Sequence, residues 1–390
     1  MIQRRATLKL AATALVAEAL AVPALGIHTA RAAETVKMID DVELSGPGVT
    51  SGSMWKNGVD MAIKEINAAG GILGRQIEIS HQDNQSQAQI AKAVATKAID
   101  DEPYVLLGPI FSGDVNVSSA VAEDAETPMF MGGEAANLTQ QGKKYLFRSS
   151  LSQAAAMPKV ANYMQKTGIK SVVIVWISND FGKGGHDTML KELNTRGIKV
   201  LVDIPTEPGQ MDYTSVVVNA VKAGADAIFS YKNEEESARF LIALRKYGYD
   251  KPVIGETVLV SQRVIELAGT AANGARGHVG LTVDAPNPLV QAYGAKFKSI
   301  YGYASDHNGI KGYTSIYLIK AVTEKLGKFD RKALAAAIHG GSFSAKQYPG
   351  LLLDVSFDAA GDLDRESYLV EVRDGKQVVT ETLPPLGKKG

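Results

Sequence analysis

Strand-like and helix-like stretches alternate along this chain with few interruptions, and that rhythm limits its fold more than any single motif. "VKMIDDVEL" (36–44), "RQIEISHQD" (75–83), "YVLLGPI" (104–110) and "PMFM" (128–131) read as strands. Residues 53–67, 87–100 and a stretch from Ser112 carry apolar residues at helical spacing, with Met54, Met61, Ile63 and Ile66 in the first. A strand that returns to its sheet through a helix lies parallel to its predecessor. The pattern therefore predicts a parallel sheet wrapped by helices on both faces.

The rhythm restarts near residue 155. Helices at 155–168, 183–196, 212–224 and 233–247 alternate with strands at 171–177, 199–205, 226–231 and 252–256. Two α/β modules of similar build in 390 residues predict two lobes. No long Pro/Gly linker, repeat or low-complexity tract separates them, so short crossovers are expected. Helices at 287–301 and 311–327 follow, and 368–379 reads as a β-hairpin around Asp374-Gly375.

Bulk charge names no partner. Basic and acidic residues both number 42, which gives no reason to expect nucleic acid. There is no cysteine, excluding disulfides, thiolate metal sites and cysteine catalysis. At the N-terminus, Arg4 and Arg5 precede a long apolar run, and Ala30 and Ala32 form an A-x-A cleavage pattern. With Leu8 and Lys9 the segment resembles a twin-arginine export signal, an ordinary secretory signal being the alternative. Glu18 and Pro23 interrupt the run and argue against a membrane anchor. Residues 1–32 are thus expected to be a signal peptide cleaved near Ala32. The remainder has 38 basic and 41 acidic residues, a net charge of −3.

Catalytic patterns are missing from the sequence. It holds no G-x-S-x-G, no G-x-x-x-x-G-K-[ST] and no H-E-x-x-H, and its six histidines are too far apart in sequence to suggest a metal pair. The acidic runs "DD" (40–41), "DDE" (100–102) and "NEEES" (233–237) read as solvated faces. The expectation is a protein that is not an enzyme and needs neither cofactor nor metal.

Open α/β sheets bind ligands beyond the carboxyl ends of their strands. "GPIFSGD" (108–114) puts Ser112 and Gly113 there, at a helix start, where the serine either caps the helix or shares its hydroxyl and the helix-end amides with a ligand carboxylate. "MGGEAANLT" (131–139) follows the next strand, and Gly132 and Gly133 permit close backbone approach.

"LSGPGV" (44–49), "EINAAGGILGRQIEI" (65–79) and Asp83 resemble the periplasmic leucine/isoleucine/valine-binding proteins of ABC transporters. So do "LLGPIFSG", "LFRSS" (146–150), "NDFGKGG" (179–185), "MDYTSVV" (211–217) and "GYTSIYLIKAV" (312–322), spanning nearly the whole mature chain. The resemblance implies a type I periplasmic-binding fold: two Rossmann-like α/β lobes with parallel-dominated sheets, joined by a three-crossover hinge. Lobe 1 would be 35–152 plus 284–352 and lobe 2 would be 153–283 plus 353–390. In that family the glycines of 70–74 only turn the chain. The implied protein is a periplasmic monomer that closes on a small molecule and docks on an inner-membrane permease. A ligand sensor for a receptor kinase is an alternative on the same fold.

Family ligand positions carry over with departures. Ser112 would bind a carboxylate, with Gly132, Gly133 and Glu134 assisting, although a small hydroxylated residue is usual where Glu134 stands. Phe181 replaces a tyrosine, and Asn233 an aromatic residue. Thr257 occupies the place of the acid that pairs the α-ammonium, with Glu256 one residue away. Trp55 is a candidate aromatic wall or, equally, a helix-packing residue. With the acid in doubt, the expected ligand is a small organic carboxylate, aromatic for preference (benzoate, hydroxybenzoate or phenylpropanoid type). A branched-chain or other apolar amino acid is the alternative.

Overall fold

The computed structural model describes residues 35–387. The signal-peptide expectation lies outside these residues. β1 (Val36–Val42), α1 (Val49–Ala68), β2 (Ile77–Asp83), α2 (Ala88–Asp100), β3 (Val105–Leu107), α3 (Ser112–Asp124), β4 (Met129–Met131) and β5 (Leu146–Arg148) build the first sheet. Its order is β2-β1-β3-β4-β5, and every neighbouring pair is parallel.

The second sheet takes α4 (Gln153–Lys166), β6 (Ser171–Ile177), α5 (Asp180–Thr195), β7 (Lys199–Thr206), α6 (Thr214–Lys222), β8 (Ala227–Tyr231), α7 (Glu234–Lys246), β9 (Val253–Gly255), α8 (Gln262–Ala268) and β10 (Ala275–Val279). The chain then returns to the first module with α9 (Pro288–Tyr301), α10 (His307–Leu326) and α11 (Arg331–Ile338). A small antiparallel sheet of β11 (Ser342–Phe343), β12 (Val355–Phe357) and β13 (Leu363–Asp364) follows. Finally β14 (Ser367–Arg373) and β15 (Lys376–Leu383) extend the second sheet, whose order is β15-β14-β10-β9-β8-β6-β7. β14 and β15 run antiparallel through a two-residue turn in which Asp374 (φ 49°) and Gly375 (φ 73°) take left-handed conformations.

One expected boundary moves. Residues 353–364 were assigned to the second module, but β12 and β13 pack on the first. Arg148 Nε lies 2.5 Å from Asp362 Oδ1, the Arg148 amide donates to Gly361 O, and Phe147 meets Phe357 edge-on. The third crossing falls between Asp364 and Ser367. The sequence hid it because strands of two or three residues carry no readable period.

The "INAAGGILGR" stretch is a turn. The Gly71 amide (φ 81°) donates to Ile66 O at 2.8 Å, closing α1, and Ile72 bridges Arg75 while buried in the core. A Cβ on Gly71 would stand 1.9 Å from Arg75 O. Glycine also sets the α1–α10 crossing, where a Cβ on Gly58 would stand 1.9 Å from Gly309 O.

Candidate functional site

The carboxyl ends of both sheets face one cavity of about 470 Å³. From the first sheet come Ser51 after β1, the Ile110–Val117 segment after β3, and Gly132 and Glu134 after β4; the second supplies Asn179–Phe181 after β6, Asn233 and Glu234 after β8, and Val258 after β9. Both sheets reverse direction of winding at this end, at β1 and at β6, so loops diverge there and leave a crevice.

Ser112 opens α3, whose first amides have no intrahelical partner. Its hydroxyl oxygen accepts from the Ala135 amide at 3.2 Å, which joins the β3 and β4 loops and leaves the hydroxyl proton to be donated. Glu43 braces this loop from below, accepting from the Ile110 amide (3.0 Å) and the Phe111 amide (2.8 Å). Asp114, in the first turn of α3, faces Glu43 and is only 4% exposed. Burial, then the nearby Glu43 and Asp41 charges, push its carboxyl well above the ordinary carboxylate range, and burial raises Glu43 as well.

Glu134 faces Lys311 Nζ at 2.7 Å, and Lys311 also donates to Gly132 O at 3.3 Å. Burial still holds Glu134 above its ordinary range, with Glu256 adding to the effect and Lys311 opposing it. This answers the difficulty of an acid at this position, because its charge is matched within the protein. Phe181 stacks on Tyr231 at 4.4 Å and 23°, and Gln153 Nε2 ties Phe181 O (2.7 Å) to the Tyr231 hydroxyl (3.0 Å). Asn233 precedes α7 and lines the cavity without capping the helix through its side chain. Two hydrogen bonds join the modules across the mouth: Ser51 Oγ to Glu234 Oε1 (2.9 Å) and Thr50 Oγ1 to Glu235 Oε1 (3.3 Å).

Of the residues singled out in the sequence, Ser112, Gly132, Glu134, Phe181 and Asn233 line this cavity. Gly133 does not; a Cβ there would press on Leu138 and Val115 at 3.0 Å, so its smallness serves packing. Glu256 and Thr257 line an adjoining void of about 10 Å³, which shares Glu134, His307 and Lys311 with the cavity and is closed by Ser150, Gly280 and Arg365. There the Thr257 hydroxyl donates to Glu256 Oε1 at 2.6 Å, and His278 Nδ1 lies 3.1 Å from the same oxygen. His278 is held neutral, since burial pushes it down to about 3. Trp55 is no cavity wall: it is fully buried, its indole N–H donating to Asp40 Oδ1 at 3.0 Å.

Two acidic runs read as solvated faces also need correction. Asp40 and Asp41 are buried at 0% and 1% exposure, and Glu234 and Glu236 are each at 5%. Asp40 lies against His81 and Asp41 accepts from Asn84 and Ser118, so polar partners, not water, support them. Sequence reasoning did not place Ser51, Asp114, His307 or Lys311 in the site, and it put Glu234 on a solvated face. His307 and Lys311 sit in the first turn of α10, which begins earlier than expected because Asp306 caps it, accepting from the Asn308 and Gly309 amides. Asp306 before a helical run was the available signal.

A profile of the family described as "Periplasmic binding protein" matches residues 42–377. The chain belongs to this family. Among other members, the leucine-, isoleucine-, valine-, threonine- and alanine-binding protein of Pseudomonas aeruginosa is 25% identical over 347 residues, 87% of this chain and 90% of that one. A Streptococcus pneumoniae branched-chain amino acid transporter substrate-binding protein in complex with isoleucine superimposes with a TM-score of 0.80 at 22% identity, covering 90% of this chain and 99% of that one. A Rhodopseudomonas palustris solute-binding protein in complex with benzoate gives 0.83 at 21% identity, covering 91% and 98%. At these identities the superpositions establish the type I periplasmic-binding fold, and the relatives are binding proteins, not enzymes.

Proposed function

We propose that this periplasmic binding protein serves an ABC importer and closes on a zwitterionic, apolar amino acid. One observation carries the choice of ligand. The cavity wall holds five acids (Asp114, Glu134, Asp180, Glu234, Glu236) and one lysine, Lys311, which already pairs with Glu134. A bare carboxylate entering here finds no cation left to balance it, whereas a zwitterion offers an ammonium to the acids and a carboxylate to Ser112 and the α3 amides. Phe111, Ile110, Val117, Phe181 and Val258 supply apolar wall for its side chain. This reverses the preference drawn from sequence, where Thr257 stands in the place of the acid partner.

Residues 35–152 with 284–364 would form one lobe, and 153–283 with 367–387 the other. Ligand would favour the closed form by touching both lobes. The membrane permease would recognise that closed form, and the N-terminal segment would direct export to the periplasm. An aromatic acid is the second reading, favoured by the Phe181–Tyr231 stack and by Asp114, which when protonated donates to a carboxylate.

The test is a thermal-shift series on refolded protein, with leucine, isoleucine and valine beside benzoate and 4-hydroxybenzoate. Ligand at a hundred times its dissociation constant stabilises by about 2.7 kcal/mol. Stabilisation by the amino acids is expected; stabilisation by benzoates alone would overturn the zwitterion in favour of the second reading.

A further inference from the structure

We propose that Asp114, backed by Glu43, is the element that recognises the ligand's cationic group, and that an ammonium arriving there displaces a proton the two carboxyls share. The inference rests on the amino-acid reading and sharpens it to one residue and one linked proton.

The geometry sets Asp114 apart from the other acids of the wall. Glu134 is matched by Lys311; Glu256 lines only an adjoining small void, its Oε1 held by Thr257 beside His278 and its Oε2 without a partner, and it does not line the cavity beside Ser112. Glu234 accepts the Ser51 hydroxyl that bridges the modules. Asp114 lines the cavity next to Ser112, is 4% exposed, and its carboxyl backs onto Glu43, with no donor from the protein to its Oδ2. A carboxyl in the first turn of α3, beside Ser112, would place the ammonium close to the carboxylate held by that serine, as the short span of an α-amino acid requires.

The charged groups acting on Asp114 are all acids: Asp41 within β1, Glu43 just after it, and Asp180 at the start of α5. Two buried carboxyls in contact cannot both ionise, so one proton stays between them. The hydrogen bonds say where it resides. Glu43 accepts two backbone amides, which favours its ionised form, so the proton belongs on Asp114. An ammonium in contact with Asp114 replaces that proton as the neutralising charge, and the proton leaves to solvent.

Isothermal titration of the full mature chain with leucine, in two buffers of different ionisation enthalpy at pH 7, counts protons directly. Close to one proton released per leucine is expected, and affinity should rise nearly tenfold per pH unit between pH 6 and 7.5. Asp114→Asn should bind leucine at least about thirtyfold more weakly and release no proton. 4-Methylpentanoate, which has leucine's skeleton without the ammonium, should release none from the unaltered protein.

Leucine binding without proton release, or with affinity unchanged in Asp114→Asn, would overturn this inference and leave the amino-acid reading standing. Failure of leucine, isoleucine and valine to bind at all would overturn both. Should Asp114→Asn fail to fold, as thermal melting would reveal, the proton count on the unaltered protein decides alone.

Discussion

Lys311 Nζ lies 2.7 Å from Glu134 Oε1, and the two side chains are only 2% and 9% exposed. The pair ties the first turn of α10 to the loop after β4. It also removes the cavity's lysine from the set of groups open to a ligand. A buried pair of this kind adds little net stability, because desolvation offsets most of the attraction; its loss from one side is what costs.

Lys311→Met should therefore destabilise the protein by about 3–5 kcal/mol near neutral pH, since Glu134 would be left buried without its partner. Adding Glu134→Gln should recover most of that loss. Urea unfolding of the two variants and the parent checks this. A double variant no more stable than the single one would mean that lost packing, not the orphaned charge, is responsible.

Trp55→Phe separates the two roles the sequence left open for this residue. The variant loses the hydrogen bond to Asp40 and part of the packing against α10, a cost of about 2–4 kcal/mol. Ligand affinity should stay within about twofold, because Trp55 does not line the cavity. A fivefold or larger change in the dissociation constant would return it to the binding site.

The fold was legible in the sequence where elements were long and periodic. The strand 171–177 and the hairpin turn at Asp374-Gly375 stand where expected, because apolar runs and an Asp-Gly pair carry strong local signals. β12 and β13 were assigned to the wrong module, since three residues hold no period. In the site, hydroxyl and glycine loops after strands pointed correctly to Ser112 and Gly132. Acids were misjudged in both directions, because sequence shows charge but not the partners that permit its burial. Glu234 looks like surface until Ser51, 183 residues away, is seen to donate to it.

That hydrogen bond yields the next expectation. Ser51 Oγ and Glu234 Oε1 belong to different modules, so the bond exists only while the two meet. Ser51→Ala should weaken the closed form by about 1–2 kcal/mol, lowering apparent ligand affinity roughly five- to thirtyfold. The melting temperature of the ligand-free protein should hardly move. Titration calorimetry together with solution scattering of the liganded protein would check both; unaltered affinity would show that closure does not depend on this contact.

His81 supplies a pH dependence whose sign can be worked out. Its Nδ1 lies 2.7 Å from Asp40 and its Nε2 2.8 Å from Asp60. Burial alone would lower the imidazole, but hydrogen bonds and charge from both acids outweigh it and raise it to about 9. The unfolded chain has the ordinary value near 6.5, so the folded state binds the proton more tightly. The stabilisation is complete below about pH 6.5 and is lost as pH rises through about 9, a difference on the order of 2–3 kcal/mol. Asp41, Glu43 and Asp114, all raised by burial, also cost stability progressively as pH climbs from the ordinary carboxylate range to their raised folded values, so the parent curve alone is ambiguous. His81→Gln resolves this. Urea unfolding at pH 6, 8 and 9.5 should show the variant less stable than the parent at pH 6, the gap narrowing by pH 9.5. A gap independent of pH would mean that His81 is held neutral and supports Asp40 through its shape and one hydrogen bond only.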